Sequence, residues 1–321
     1  MPVSSILMSP ARLLEAVPNF SEGRDPTVVD AIVAAVRGAG AHVLDWSADV
    51  DHHRSVVTIV GEPATVEEAT VAAARVARDR IDLTRHHGVH PRVGALDVLP
   101  FVPLAGLSLA DARQSARRVG DRLAAELGLP VYFYGAASEP PGRPLAVLRR
   151  GGFETLQASW PPDRRPDLLP REWLHAGAHP TAGVTCVGAR ELLLAWNVIV
   201  SGMDHAAAVT VARNIRETSG GMQGVRALAL DLPESGRLQI SMNVENVDQA
   251  RPMDVFRAVE AQVAAAGGTI EETEVIGMVP DELVLAAAED RLKLAPQTTS
   301  RLLSRRLLHL ITAQPESPPE A

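Results

Sequence analysis

The chain has 321 residues, of which 46% are hydrophobic but only 3% aromatic, and a formal net charge of −8. Domains commonly hold ~100–200 residues, so one large unit or two moderate ones are expected, with a core built mainly from Ala, Val, Leu and Ile. The acidic balance offers no global basic field to draw in nucleic acid, and the single cysteine, Cys186, rules out a disulfide framework or a multi-cysteine metal site.

One cysteine fits a reducing cytosol. The start, "MPVSSILMSPARLLEAV", lacks a basic segment followed by an apolar run, and no stretch approaches the ~18 apolar residues of a membrane span. A soluble cytoplasmic protein acting on small molecules is expected, with residues 1–12 as a leader. The only lysine, Lys293 in "EDRLKLAP", reads as the end of a surface helix. A Schiff-base enzyme or a P-loop needs a lysine beside its reactive centre, so neither is expected.

In chain order, "LLEAVPNFS" (13–21) reads as a strand and "DPTVVDAIVAAVRGAG" (25–40) as a helix. Asp25 can cap that helix, Pro26 suits its first position, and Gly38 and Gly40 punctuate its end. "AHVLDWSA" and "RSVVTIVG" are short β-branched strands joined by the polar link "DVDHH". "TVEEATVAAARVARDRI" (65–81) is an amphipathic helix and "ALDVLPFVPL" (95–104) a strand, which completes the order βαββαβ. A helix (108–128), a strand "PVYFYG" (130–135) and a Pro-, Gly-, Arg- and Trp-rich connection to about residue 183 follow. A structureless connection of this length inside a compact chain suggests binding.

The second half repeats the order, with "ELLLAWNVIVSG", "MDHAAAVTVARNIRETSGG", "VRALALDL", "GRLQISMNVEN", "MDVFRAVEAQVAAAGG" and "TEVIGMVPDEL" running into another helix. Each copy is a split βαβ of ferredoxin-like type, which puts two helices on one face of an antiparallel sheet. The expected fold is therefore α+β, with two such subdomains in tandem. Residues 13–182 form the first together with the connection, 183–295 the second, and 296–321 a tail with a short basic amphipathic piece and a disordered-looking end.

The stretch "RHHGVHPRVGALD" (85–97) concentrates candidate chemistry. His86 and His90 have the i,i+4 spacing of two metal ligands on one helical face, but Gly88 and Pro91 argue against a helix. A third ligand could come from Asp97, His53 or His179, so a metal reading stays open. His86 and His87 read as turn or wall residues. His90 differs, because Pro91 fixes its backbone and Gly94 lets the chain re-enter the sheet, and a histidine held at such a rim can act as a base near neutral pH. The turn "VPNFSEGRD" (17–25) sets Asn19, Ser21, Glu22 and Gly23 between a strand and a helix, where free amides can receive an anion or simply cap the helix. "SADVDHHRS" (47–55) carries Asp49, Asp51, His52, His53 and Arg54 on a hairpin that reads equally as a solvated turn.

Together "EAVPNFSEGRD", "DHHRSVVTIVG", "HHGVHPRVGALDVLPFVPL", "PVYFYG", "LRRGGFETL", "HPTAGVTCVGARELLLAWNV" and "EVIGMVP" resemble the glutamate formimidoyltransferase family, in consistent order from about Leu13 to Ala288. The resemblance implies two ferredoxin-like subdomains, a homodimer, and transfer of the formimino group of N-formimino-L-glutamate to tetrahydrofolate, giving 5-formiminotetrahydrofolate and L-glutamate in histidine breakdown. The cyclodeaminase domain to which relatives in animals are fused is not expected here. His90 of "HPR" is implied as the catalytic acid–base. Folate contacts are implied from Leu169 and Pro170 to His179, Pro180, Thr181 and Gly183. The chain departs from the family just before, with "PDLLP" (166–170) where "PDFGP" is common.

That chemistry needs tetrahydrofolate as co-substrate and no metal. Arg54, Arg92, Arg190 and the Asn19–Gly23 turn are candidates for the substrate carboxylates, and Asp97 and His53 for supporting roles. Competing readings are a metal-dependent hydrolase of a formimino or amide substrate using His86, His90 and an acidic partner, a folate-binding protein without catalysis, and a transferase that uses a formyl donor.

Overall fold

The computed structural model describes residues 12–292 except Asp248 and Pro280. The leader, apart from Arg12, the tail and Lys293 lie outside the described residues. The first subdomain begins with a broken strand, β1 (Leu14–Ala16) and β2 (Asn19–Phe20). Pro18 separates the two pieces and still offers its carbonyl to the Val57 amide. Helix α1 (Pro26–Gly38) starts as expected, with Asp25 accepting from the Thr27 amide and Pro26 at the first position. Strands β3 (His42–Asp49) and β4 (Arg54–Gly61) form an antiparallel hairpin, and α2 (Pro63–Arg80) leads through a short 3-10 turn to β5 (Leu96–Pro103).

β4 pairs antiparallel with β1 and β2, which in turn pair antiparallel with β5, so the order is β3, β4, the broken strand, β5. This is the ferredoxin-like arrangement. The next helix, α3 (Leu109–Leu127), opens with a Ser108–Asp111 capping box and closes on Gly128 in the left-handed region, φ +64. It returns the chain to β6 (Val131–Gly135).

Two expectations are corrected here. The segment β7 (Thr185–Ala189) inserts between β5 and β6, parallel to both, so the first sheet is mixed rather than purely antiparallel. Parallel neighbours need long crossovers, which α3 and the 136–183 connection provide. Sheet pairing therefore carries the first subdomain through Ala189 instead of ending it at Ala182. β7 is buried at every position, so it shows no alternation to mark it in the sequence.

The second subdomain comprises β8 (Leu194–Ser201), α5 (His205–Ile215), β9 (Val225–Leu232), β10 (Arg237–Val244), α6 (Pro252–Ala265) and β11 (Thr269–Ile276), followed by α7 (Asp281–Leu292). The short α4 (Leu145–Leu148) lies in the connection. Its sheet order, β11, β8, β10, β9, repeats that of the first subdomain with every neighbour antiparallel. β11 begins four residues before the expected Thr273, because "TIEE" carries exposed acids on its outer positions.

Each sheet packs its helices on one face over its own apolar core. Burial of each Val, Leu or Ile side chain contributes ~1.5–3 kcal/mol. Alternation along a strand turns the neighbouring residues to the helix-free face. Glu15, Thr58, Asn197 and Gln239 point there, yet all are buried. The two helix-free faces meet: a Cβ on Gly277 would lie 3.5 Å from Thr58, and Gln239 of β10 touches His52 of the first subdomain. The fold thus buries a polar layer between two sheets.

Candidate active site

The loop from His86 to Ala95 is not helical and runs along the rim of this layer. Its exit is clamped by the turn at 179–183. The Ala95 amide donates to Ala182, the Val184 amide to Val93, and Gly94 bridges Gly183. Both glycines are required, because a Cβ on Gly94 would lie 2.2 Å from the Val184 carbonyl and one on Gly183 2.1 Å from that of Val93. From the other side Ser21 donates through its hydroxyl to the Gly94 carbonyl at 2.7 Å.

Asp97 anchors the site. The register of β2 against β5 shifts between Asn19 and Phe20, which leaves Asp97 as the extra residue of a bulge; bulges re-aim side chains in this way. Its carboxylate is fully buried. Oδ1 accepts from the Val93 and Gly94 amides at 2.7 and 3.3 Å, and Oδ2 accepts from Arg54 Nη1 at 2.8 Å and Arg149 Nη1 at 3.1 Å. Burial works against its charge, but Arg149 and Arg54 outweigh it and hold the carboxyl below the usual range. Arg54 also forks onto Asn19 Oδ1 at 3.2 and 2.8 Å. Asp97, a candidate for a supporting role, orients two guanidinium groups and the loop backbone.

His90 takes its orientation from a backbone carbonyl, with Nδ1 2.9 Å from the oxygen of Pro91. A carbonyl can only accept, so Nδ1 carries the proton and the Nε2 lone pair is left open. Burial, then Arg54, Arg149 and His52, push the His90 pKa well below the ordinary imidazole value. The ring is neutral at pH 7. His90 lines a cavity of about 470 Å³ with Arg92, Arg149, Arg150, Gly152 and, from the second subdomain, Leu228. Arg92 is partly spent, since Nη2 donates to Glu154 at 2.7 Å and to the His86 carbonyl at 3.1 Å. The Nε groups of Arg92 and Arg149 are buried without a hydrogen-bond partner among the described residues.

The other histidines divide. His86 is buried and donates from Nε2 to the His53 carbonyl at 2.7 Å, and its ring stacks on His53 at 4.1 Å. Burial lowers its pKa to about 4. His87 is exposed. His53, the one non-glycine residue with positive φ among the described residues, lies 3.1 Å through Nε2 from Glu22. Among the described residues no three His, Cys, Asp or Glu side chains converge as metal ligands would.

The amides at the end of the Asn19–Gly23 turn are already taken. Glu22 Oε1 already accepts from the amides of Gly23, Arg24 and Asp25 at 2.9, 2.8 and 3.0 Å. Burial opposes the Glu22 charge, yet His53 and the Asp25 and Arg24 amides outweigh it and set its pKa at about 2. Gly23 lets the turn press on the hairpin, where a Cβ would lie 2.2 Å from the Asp49 carbonyl.

Arg190, half-buried just after β7, lies near Tyr134 and Glu15 and does not line the His90 cavity. His179 accepts from the Ala182 amide at 3.1 Å, so it caps the turn that contains Pro180 and Thr181. Leu169 and Pro170 follow the bridge between Leu168 and Val131 at the sheet edge. Beside them a second cavity of about 290 Å³ opens among Trp160, Arg165, Leu174 and His175. Sequence reasoning missed Arg149 and Arg150 as site residues. Their signal was the pair of arginines before Gly151 and Gly152, which take φ +73 and +67.

Two tandem ferredoxin-like subdomains with a histidine and clustered arginines beside one cavity define an α+β architecture distinct from a Rossmann or P-loop fold. The model for the formiminotransferase domain, N-terminal subdomain, matches residues 13–190, and that for the formiminotransferase domain matches 195–301. The chain belongs to the formiminotransferase family. It is 35% identical to the glutamate formimidoyltransferase of Streptococcus pyogenes serotype M1, over 87% of this chain and 93% of that one. It is 34% identical to the glutamate formimidoyltransferase of Thermoplasma acidophilum, over 92% and 97%. With the formimidoyltransferase-cyclodeaminase of Sus scrofa it shares 37% identity over 87% of this chain but 52% of the longer relative. These matches bear out the resemblance carried by the sequence motifs.

Proposed function

We propose that the chain transfers the formimino group of N-formimino-L-glutamate to tetrahydrofolate, with His90 as the acid–base. The observation that carries the reading is the imidazole itself: Nδ1–H is committed to the Pro91 carbonyl, and the free Nε2 belongs to a neutral ring beside an arginine-lined cavity. N5 of tetrahydrofolate attacks the formimino carbon and a tetrahedral intermediate forms. His90 Nε2 takes the proton released by N5 and delivers it to the glutamate nitrogen as the carbon–nitrogen bond to glutamate breaks. One positioned base of this kind contributes ~10²–10⁴-fold.

Arg92, Arg149 and Arg150 suit the two carboxylates of the donor. Folate contacts along Leu169, Pro170, His179, Pro180, Thr181 and Gly183 are supported by the neighbouring cavity at Trp160 and Leu174. The buried free thiol of Cys186 suits the cytoplasm. No described helix is long and apolar enough to cross a membrane. A homodimer is supported by Leu44 and Trp46, exposed on the edge strand β3, and light scattering on the purified chain reads it directly.

The test is an absorbance assay with formiminoglutamate and tetrahydrofolate, with formylglutamate as the competing donor. Wild type should turn over formiminoglutamate, and His90→Ala should lose ~10²–10⁴-fold in kcat while tetrahydrofolate still binds. No product from either donor would leave a folate-binding protein as the better reading.

A further inference from the structure

A short stretch of the first subdomain contacts both the second subdomain and the His90 loop. The tip of the β3–β4 hairpin carries Asp51, whose side chain is buried although it sits on a loop. Its Oδ1 accepts from the Glu234 amide at 2.5 Å and its Oδ2 from the Ser235 amide at 3.2 Å. Those two amides form the turn between β9 and β10. The Asp51 carbonyl meanwhile accepts from the amide of Val89, the residue before His90, at 3.2 Å.

The next residue reinforces both legs. His52 Nδ1 lies 2.8 Å from Asp49, so Nε2 is the acceptor for the side-chain amide of Gln239 on β10, at 3.3 Å. Its ring centroid is 6.1 Å from that of His90. Gly88 lets the histidine loop lie against this backbone, since a Cβ there would be 2.4 Å from the His52 carbonyl. On the far side, β9 contributes Leu228 to the cavity.

We propose that Asp51 is a positioning residue for the transfer reaction: its carboxylate anchors the hairpin tip to the β9–β10 turn, and its carbonyl, fixed in place by that anchor, holds the His90 loop and so sets the aim of the imidazole. A carboxylate is suited to this because two amide donors converge on it. Asparagine has one acceptor atom and would turn its own N–H groups toward a donor. The proposal rests on His90 as the acid–base, and its test separates the two.

Asp51→Asn, which keeps the side-chain shape, and Asp51→Ala are assayed in the full chain with formiminoglutamate and tetrahydrofolate. The expected result is a fall in kcat of roughly 10- to 100-fold, as a misplacement of about 1 Å produces, with both KM values moving far less. In the His90→Ala background the Asp51 change should cost nothing further, because the residue acts through that imidazole. A kcat equal to wild type overturns the proposal, as does a loss that multiplies with His90→Ala. Wild-type turnover by His90→Ala alone instead sinks the acid–base reading. Amide hydrogen exchange on the wild-type protein adds a reading free of variant folding: Val89, Glu234 and Ser235 should open together as one unit, and independent opening overturns the proposal.

Discussion

At the scale of single residues, the cations around His90 set its working range. Protonation would add a positive charge beside Arg54 and Arg149, so the neutral base persists to a lower pH than an ordinary imidazole allows. The acid limb of kcat/KM should therefore fall below the usual histidine midpoint. Arg149→Gln removes one of those charges and should move the limb upward; a pH–rate profile that stays put would contradict this assignment. Asp97 gives a second prediction. Asp97→Asn leaves Arg54 and Arg149 buried without their counter-charge, and breaking such a buried pair typically costs ~3–5 kcal/mol. Urea denaturation reads that loss, and a change below about 1 kcal/mol would show that solvent compensates.

At the scale of elements, the sequence marked the histidine loop by "HPR" and the distant turn by "HPTAG", but not that one clamps the other. Helix α1 with its Asp25 cap, α3, the β3–β4 hairpin and β9 were all legible, since caps, glycines and alternation are local signals. β7 was not, because a short strand buried on both faces has no period to read. The clamp is testable at Gly183, where φ is +68 and a Cβ would strike the Val93 carbonyl. Gly183→Ala should cost roughly 1–3 kcal/mol from backbone strain alone, and more from the clash. A thermal midpoint within error of wild type would mean that the turn relaxes freely.

At the scale of the whole molecule, the buried His86 and the half-buried Glu22 make stability fall with acid. The folded pKa of His86, about 4, lies below its ordinary 6.5, so the unfolded chain binds more protons between those values. Stability is full above the unfolded pKa and declines as pH drops toward 4, by on the order of 3 kcal/mol. Glu22 acts in the same direction lower down, for its folded pKa of about 2 lies below the usual 4.5; its contribution is present above the latter and lost as pH falls through the former. Unfolding free energies at about pH 7.5 and about pH 4.5 should differ accordingly, and a flat profile would refute the neutral state derived for His86. His86→Gln should flatten the upper part of the curve.

By itself the sequence determined the βαββαβ order and its duplication, because apolar period, caps and glycines are local signals, and its motifs carried the resemblance to the family and the expectation for His90. Only the tertiary structure decided what that histidine meets. The Glu22 carboxylate fills the turn that looked ready for an anion, the bulge turns Asp97 onto two arginines, and Asp51 reaches a turn 183 positions away. Such pairings are set by how two sheets stack and where a strand inserts, and sequence spacing carries no record of those distances.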